Sequence, residues 1–504
     1  MNPFFRFFLS TLLALTLSFA YNFFFLNLSE RPLVDQILLT IFSTSALSYC
    51  LFSIKGGLSL PAIKKLDRAA FFDFMRLNAP GLILALIFFV VYTMIGLRLN
   101  SATIDTVDNY LDADNYSWMQ RIASPTGYLL EMRGPHPFAY FIFRPLGWLM
   151  NLFTRNYWLS ATLINTLAGG SCVFMAWLFV KREAQDSVYA LLLASLLGLS
   201  TAHIFFGSVI ETYIFSAAVL IGFALVLQSQ KDSAPSAALV GTSLLTFGIT
   251  LTNFVQNFIG YVVDLFSRTE KFSKQTFWEI FKKVFHFSAL TLSLGILVSL
   301  IHAAWYPSSK LFFLLSDAQS EEEFAISIFQ EPQWRAAGRV ILLIRTILLY
   351  TVIAPRPFVF GEEVGGKFPR FNFFKIAPEE FSYGAYFGLG NILVLAWAVL
   401  LFAAGLFFLW HLIRTRKANL ALAFAFCILF NFLLHLNYGY EPFLYSPDWA
   451  YALIFFIALA FAPLAGNRFF QGGLFLFLIF LAYNQFQFFQ FIFKTVAPFL
   501  PPGG

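Results

Sequence analysis

The stretch PGLILALIFFVVYTMIGL, residues 80–97, decides the fold class because it carries no charged side chain over a length close to one membrane crossing. A helix needs about 20 mostly apolar residues to cross the hydrocarbon core of a bilayer. Similar apolar runs recur along the whole chain of 504 residues, of which 59% are hydrophobic and 12% are charged. Soluble domains carry about 25% charged residues. The sequence therefore predicts an integral membrane protein with many spans.

The predicted architecture is an all-α polytopic bundle of about 13 transmembrane helices. We expect one domain over residues 1–504, because so many spans need a shared bundle and no stretch is long enough for a separate soluble enzyme. The predicted spans are 7–28, 33–54, 80–97, 157–180, 188–206, 212–227, a bent pair within 237–266, 287–305, 386–410, 420–436, 449–464 and 474–492. The bend in the pair is predicted near Asn253.

The basic residues lie in short loops between spans, as in the loop that carries Lys55, Lys64, Lys65, Arg68 and Arg76. An excess of Lys and Arg marks the cytoplasmic loops of membrane proteins. This distribution predicts a multi-pass protein of the cell (inner) membrane with a cytoplasmic N-terminus. The net charge of +6 is then an orientation signal, and it does not indicate a nucleic-acid partner.

Two apolar pieces, 138–153 and 338–354, do not fit as spans, because both contain arginine and the flanks of each are predicted to be external. A helix that lies in the membrane interface satisfies both observations. We expect one interfacial helix within the external loop 98–156 and a second one within the external segment 306–385. Such helices suit an enzyme whose substrate has a lipid tail.

The external segment SATIDTVDNYLDADNYSWMQRIASPTGYLLEMRGPHP, residues 101–137, gathers ionisable groups in a chain that is otherwise poor in charge. Charged groups near a membrane are kept where they are solvated or used. Asp112 and Asp114 are separated by one residue, so that both carboxylates point the same way if the backbone is extended. Such a pair can hold a divalent cation, or one carboxylate can serve as a general base. A solvated loop is the alternative.

Three further external residues are candidates for the same site. Glu211 and Tyr213 lie at a turn between two spans, where Glu211 could complete a site with the loop acids. A helix start also favours an acid through its macrodipole, so that capping is the alternative. His136 is flanked by Pro135 and Pro137, which hold its backbone rigidly at the start of a helix. A structural hydrogen bond is the other interpretation of His136.

Four arginines recur around one amphipathic stretch that is predicted to lie near the outer surface. Guanidinium groups match phosphate with paired hydrogen bonds, which suggests a phosphate site. The alternative is that these side chains reach the membrane surface or pair with the acids at 321–323. The four are Arg335, Arg339, Arg345 and Arg356.

Aromatic and amide side chains complete the candidates for substrate binding. The external turn HLNYGYEPFLYSPDW, residues 435–449, contains Tyr440 and Tyr445, which suit either an aromatic belt or a carbohydrate. Asn253 belongs to a polar cluster at the predicted bend. Such groups can satisfy the backbone of a broken helix, which we favour over sugar binding.

The layout of these motifs resembles the GT-C superfamily of membrane glycosyltransferases, which use polyprenyl-phosphate sugars on the outer face of the membrane. The resemblance rests on Asp112 and Asp114, on RGPHPFAYFIFRPLG at 133–147, and on the turn that carries Glu211. Members have an acid in the first external loop that acts as base or metal ligand, then an interfacial helix, then a second acid. The resemblance thus implies Asp112 or Asp114 as the catalytic group and Glu211 as an accessory one.

The chain also departs from that family. The gap between Asp114 and His136 is longer than in the protein mannosyltransferase branch, and no large C-terminal soluble domain of the oligosaccharyltransferase kind is present. The acceptor therefore stays open among a glycan, a lipid and a protein. No cofactor is required by the residues, and if a divalent cation is used, Asp112 and Asp114 are its candidate ligands.

The predicted function is inverting sugar transfer from a polyprenyl-phosphate donor on the external face. An O-antigen polymerase or ligase would share the spans, loops and arginines, but would use a diphosphate-linked glycan. A transporter or lipid flippase would bury ionisable groups near the membrane midplane. Asp35 and Asp264, the few acids inside apolar runs, lie near the ends of those runs, which ranks transport last.

Overall fold

A computed structural model describes residues 3–54, 68–100, 109–230, 234–269, 273–361, 368–415 and 419–499. Within these ranges the helices are α1 Pro3–Phe25, α2 Leu33–Ile54, α3 Arg68–Leu77, α4 Ala79–Leu99, α5 Asn115–Ala123, α6 Ala139–Thr154, α7 Tyr157–Ala184, α8 Ser187–Leu199, α9 Thr201–Phe206, α10 Tyr213–Ser229, α11 Ala237–Ile249, α12 Phe254–Ser267, α13 Lys274–Trp305, α14 Leu315–Gln319, α15 Gln333–Arg345, α16 Leu389–Thr415, α17 Leu420–Leu436, α18 Pro447–Ala460 and α19 Arg468–Val496. The strands are β1 Phe358–Phe360, β2 Arg370–Asn372, β3 Phe374–Ala377 and β4 Glu380–Tyr383.

The helices confirm the prediction of a helical multi-pass membrane protein. Six of them, α2, α4, α7, α13, α16 and α19, are long and apolar enough to cross a membrane by length and composition. Shorter apolar helices of 10–17 residues lie in α1, α8, α10, α11, α17 and α18. Together with α12, these helices correspond one by one to the predicted spans.

The predicted bend within 237–266 is confirmed. α11 ends at Ile249, a single 3₁₀ turn covers Leu251–Asn253, and α12 then begins at Phe254. The broken backbone is surrounded by polar groups, since Ser216 donates to the Thr250 hydroxyl at 3.1 Å. Backbone that leaves the helix inside an apolar bundle needs such partners.

The segment 306–385 contains strands that the sequence did not predict. β1 pairs with β2 and β3 pairs with β4, each pair antiparallel. The strands are only three or four residues long, too short for an alternating pattern to stand out in the sequence. α15 also begins and ends earlier than the predicted helix at 338–354, and a π turn at Thr346–Tyr350 follows it. α6 matches the predicted helix at 138–153 within a residue.

The core holds α4, α7 and the turn after α9 in close contact. A Cβ atom on Gly207 would lie 2.4 Å from the His203 carbonyl oxygen and 2.8 Å from the Tyr92 ring. Tyr92 in turn donates to the Gly198 carbonyl at 2.7 Å. This packing leaves no room for a larger residue at Gly207, and it fixes the start of the turn that leads to Glu211.

Candidate active site

Two buried asparagines shape the turn between α9 and α10. Asn100, just after α4, donates to the Ser208 carbonyl at 2.8 Å and accepts from the Ile210 N–H at 3.2 Å. Asn165 of α7 donates to two carbonyl oxygens at 2.8 and 2.9 Å and accepts from the Glu211 N–H at 3.3 Å. Buried backbone groups need such partners. The two amides therefore set the position of Glu211.

The Glu211 carboxyl group lies between the starts of two helices. Its Oε1 accepts from the Thr212 N–H at 2.9 Å, at the start of α10, and its Oε2 accepts from the Asp114 N–H at 2.9 Å, just before α5. Glu211 is only 2% exposed. Burial first, and the negative charge of Asp114 second, raise the pKa of Glu211 to about 8. Glu211 thus links the acidic loop to the start of α10, because it accepts from a backbone N–H of each, as a helix-capping side chain does.

Asp112 and Asp114 lie in a turn, so the extended backbone that would point both carboxylates the same way is not present. Leu111 and Asp112 have φ angles of 54° and 66°, and Asp114 directly precedes α5. Left-handed residues other than glycine are strained by about 1–3 kcal/mol each and cluster at functional sites. Both aspartates are partly exposed, unlike Glu211. The other two aspartates of the loop, Asp105 and Asp108, lie outside the described residues.

Three neighbouring tyrosines, Tyr213, Tyr445 and Tyr438, connect this turn to the segment 435–449; we call them the tyrosine wall. Tyr213 packs edge to face on Tyr445, with ring centroids 5.1 Å apart, and Tyr445 lies 6.3 Å from Tyr438. Burial raises the pKa of the Tyr445 hydroxyl. The positive charge of Arg133 lowers this pKa and the negative charge of Asp112 raises it, so both groups lie near that hydroxyl. The predicted candidates Asp112, Asp114, Glu211, Tyr213 and Tyr445 are therefore brought together.

The cation of this cluster is Arg133, which the sequence did not single out for binding. Its Nε donates to Glu321 at 3.1 Å, and a terminal nitrogen donates to the Tyr438 hydroxyl at 3.5 Å. Although burial opposes the charge, the bond to Glu321 and its negative charge raise the pKa of Arg133. The signal that could have found it is its place in RGPHP, at the end of the acid-rich loop.

The four predicted phosphate-binding arginines have other partners, although Arg339 reaches the edge of this cluster, where it donates to the Tyr438 carbonyl at 3.2 Å. Arg339 is 8% exposed and donates to carbonyl oxygens of His435 and Gly439, among others, at the end of α17. Arg345 donates to the Tyr350 hydroxyl and to a carbonyl oxygen, and Arg335 pairs with an acid one helical turn away. The exposed Arg356 lies over the rings of two phenylalanines, at 5.2 and 6.0 Å.

The role of Arg339 can be tested by stability. Arg339→Gln should lower the free energy of unfolding by about 3 kcal/mol, because buried carbonyl oxygens of the α17 end lose charged hydrogen bonds. Arg335→Gln on the same helix removes only a surface pair and should cost about 0.5 kcal/mol or less. Thermal unfolding in detergent measures both. Equal melting temperatures for the two variants would contradict the structural role of Arg339.

His136 and Asn253 take structural partners. His136 Nδ1 lies 2.5 Å from the carbonyl oxygen of Ile249. Because a carbonyl oxygen can only accept a hydrogen bond, the Nδ1 atom of His136 carries a proton and donates it. Burial lowers the pKa of His136 to about 4, which leaves the ring neutral at pH 7. Asn253 is 1% exposed and donates to Ser216 at 2.8 Å. Buried Asp448, which the sequence analysis did not propose as a site residue, is hydrogen-bonded to Asn253.

Two of the cavities in the described part of the chain adjoin titratable side chains. The first, about 200 Å³, lies beside Tyr440, which is 54% exposed. The second, about 490 Å³, lies at the opposite end of α10 and α12, away from the acidic turn, and is lined in part by Asp264, Arg268 and His411. Within the described ranges, no three His, Cys, Asp or Glu side chains are grouped so as to hold a metal ion. A cation bound by Asp112 and Asp114 stays a prediction.

The raised pKa of Glu211 predicts how stability depends on pH. Between about pH 4.5 and 8 the folded protein retains a proton that the unfolded chain has released, so the free energy of unfolding should fall as pH rises through this range. Glu211→Gln removes this titration while it keeps an acceptor. The melting temperature of the variant relative to the wild type should therefore rise from pH 4.5 to 8. A difference that stays constant would contradict the assignment.

Comparisons with known proteins find a match of low sequence identity among solved structures. No protein-family model matches the chain, and no curated protein matches it. Among solved structures, the chain is similar to the arabinosyltransferase EmbB from Mycobacterium smegmatis, with 14% sequence identity and a TM-score of 0.42. The match covers 85% of this chain and 34% of EmbB, so this chain spans about a third of that protein's length. At this TM-score the two folds are only loosely alike.

Proposed function

We propose that this protein is an integral membrane glycosyltransferase that moves a sugar from a polyprenyl-phosphate donor to an acceptor on the external, periplasmic face. The observation that carries the proposal is the meeting of an acidic turn with a cation at one end of an apolar bundle. Asp114 contacts Glu211, and Arg133 contacts Tyr438, which belongs to the tyrosine wall beside that turn. Acidic and basic groups in one cluster suit a reaction in which a proton is taken from an acceptor and a phosphate is released.

In the proposed mechanism Asp112 or Asp114 is the general base. It takes the proton of an acceptor hydroxyl, whose oxygen attacks the anomeric carbon. The bond from that carbon to the phosphate oxygen breaks, and its electron pair stays on the lipid phosphate. Direct displacement inverts the anomeric configuration. The partial exposure of both aspartates lets them reach a substrate.

Arg133 is proposed as the group that stabilises the departing phosphate. A guanidinium group placed where negative charge develops lowers the barrier without reorganisation. Arg133 is held by Glu321 and lies over the Phe324 ring at 3.8 Å, so its position is set before substrate arrives. This assignment replaces Arg339, which is 8% exposed, and Arg345, which donates to Tyr350 and Gly384 instead of to the tyrosines beside the acidic turn. The Arg133 side chain is 34% exposed.

Glu211 is proposed as a positioning residue. Both of its oxygens accept hydrogen bonds inside the protein, and its 2% exposure keeps it from the substrate. It holds the Asp114 N–H, and through it the start of α5, against the turn before α10. A neutral, protonated Glu211 also spares Asp114 the repulsion of a second full charge.

The donor class is tested with proteoliposomes of the purified protein. Polyprenyl-phosphate sugars that carry labelled glucose, mannose, galactose or arabinose are supplied beside a crude membrane-glycan acceptor fraction, and labelled glycan is measured. Transfer from at least one monophosphate donor is expected. Transfer only from diphosphate-linked glycans would reject the donor in favour of a polymerase or ligase. Label that crosses the membrane without any transfer would indicate a transporter or flippase.

A further inference from the structure

We infer that the 200 Å³ cavity beside α15 holds a neutral sugar ring of the acceptor glycan, an inference that rests on the proposed glycosyl transfer. The cavity lies between α15, the β3–β4 pair and the turn that follows α17. Its lining combines aromatic and apolar side chains with charged ones, among them Phe374, Phe381, Tyr440, Glu331, Arg335 and Glu441. Its volume suits a single monosaccharide and not a long chain.

The cavity shares one short turn with the proposed catalytic cluster. Tyr438 contacts Arg133, and two residues further on Tyr440 lines the cavity. The turn is held in place by backbone bonds, since the Gly439 N–H donates to the Phe324 carbonyl at 2.9 Å. Gly439 has a φ angle of 78° and lies against the Tyr445 ring, so no larger residue fits there. A sugar in the cavity would therefore lie next to the reacting groups.

The walls of the cavity combine flat aromatic surface with apolar side chains. Phe374 and Phe381 are stacked, with centroids 5.6 Å apart, and Phe381 also stacks on Tyr383 at 5.5 Å. The exposed ring of the cavity is therefore Tyr440, which is 54% exposed. Ligand pockets are mostly apolar with a few polar groups that fix orientation. The C–H face of a sugar ring can pack on the exposed Tyr440 ring, while its hydroxyl groups turn to the polar rim.

The charges around the cavity are balanced, which favours a neutral ligand. Glu331 pairs with Arg335 at 3.3 Å, and Glu441 accepts from Asn372 at 2.6 Å. Arg339 is used at the end of α17. A phosphate site would need excess positive charge, and a buried hydrocarbon chain would leave the carboxylates without solvent. Carboxylate and guanidinium groups side by side can instead accept from and donate to sugar hydroxyls.

A matched pair of neighbouring alanines gives the test. Ala336 lines the cavity, whereas Ala337 is exposed and does not line it. Ala336→Trp fills the cavity without removing a charge, and Ala337→Trp adds the same indole outside it. Saturation-transfer NMR on the purified protein in detergent would use methyl glycosides of glucose, galactose, mannose and arabinose. We expect a signal from at least one glycoside in the wild type and Ala337→Trp, and about a tenfold smaller signal in Ala336→Trp.

Several results would overturn the inference. No glycoside signal in the wild type, or an equal signal in Ala336→Trp, rejects a sugar site. Binding of citronellyl phosphate that only Ala336→Trp abolishes would assign the cavity to a lipid tail. Because filling the cavity could disturb α15, Tyr440→Ala serves as a second variant at an exposed position and should weaken the signal too. Glycoside binding by a wild type that transfers no sugar from any donor would reject the proposed function and leave the sugar site standing.

Discussion

Asp114→Asn should lower the rate of sugar transfer by roughly 10²- to 10⁴-fold, the range that a general base contributes. The substitution removes the proton acceptor and keeps the size of the side chain. It also keeps the backbone N–H that donates to Glu211 at 2.9 Å, so the link between α5 and the turn before α10 should persist. The initial rate with a polyprenyl-phosphate sugar measures the effect, and the melting temperature reports whether the fold is intact.

The same experiment on Asp112 decides which carboxylate is the base. Whichever of Asp112→Asn and Asp114→Asn loses the larger factor is assigned the role. Glu131→Gln is the matched control, because Glu131 lies in the same loop and its side chain is 54% exposed in an ion pair with Lys310. It should transfer sugar at the wild-type rate. Full activity in both aspartate variants would reject the acidic turn as the catalytic site.

Arg133→Ala should lower kcat by about 10²- to 10³-fold, since it removes the charge that meets the developing phosphate. Arg133→Lys restores a charge without the planar fork of donors, so it should recover part of the rate. Loss of a group that acts only in the transition state lowers kcat and kcat/KM together. A rise in KM alone, with kcat unchanged, would show that Arg133 only holds the donor.

Removal of Arg133 leaves Glu321 without its partner, and this must be separated from catalysis. Breaking a partly buried pair destabilises because one charge stays behind. Arg133→Gln combined with Glu321→Gln removes both charges. We expect the double variant to recover the melting temperature and to remain inactive. Recovery of sugar transfer in that variant would contradict a catalytic role for Arg133.

Part of the candidate site could be predicted, and part could not. The acids of the first loop and Glu211 were visible because charge is rare in this chain and stands out beside apolar runs. The choice among arginines failed, because Arg339 and Arg345 look like free cations in the sequence. Only the folded chain shows that Arg339 reaches the end of α17, 96 residues away along the sequence.

The sequence by itself determined that this chain is helical and multi-pass, and where its long helix in 237–266 breaks. These properties follow from local runs, because the cost of placing each residue in hydrocarbon or at a bend depends mainly on its neighbours along the chain. Only the tertiary structure decided which side chains meet. Asp114 and Glu211 are 97 residues apart, and Arg133 and Glu321 are 188 apart. Their contacts depend on how packed helices cross and how loops fold back over them, which no local pattern of residues encodes.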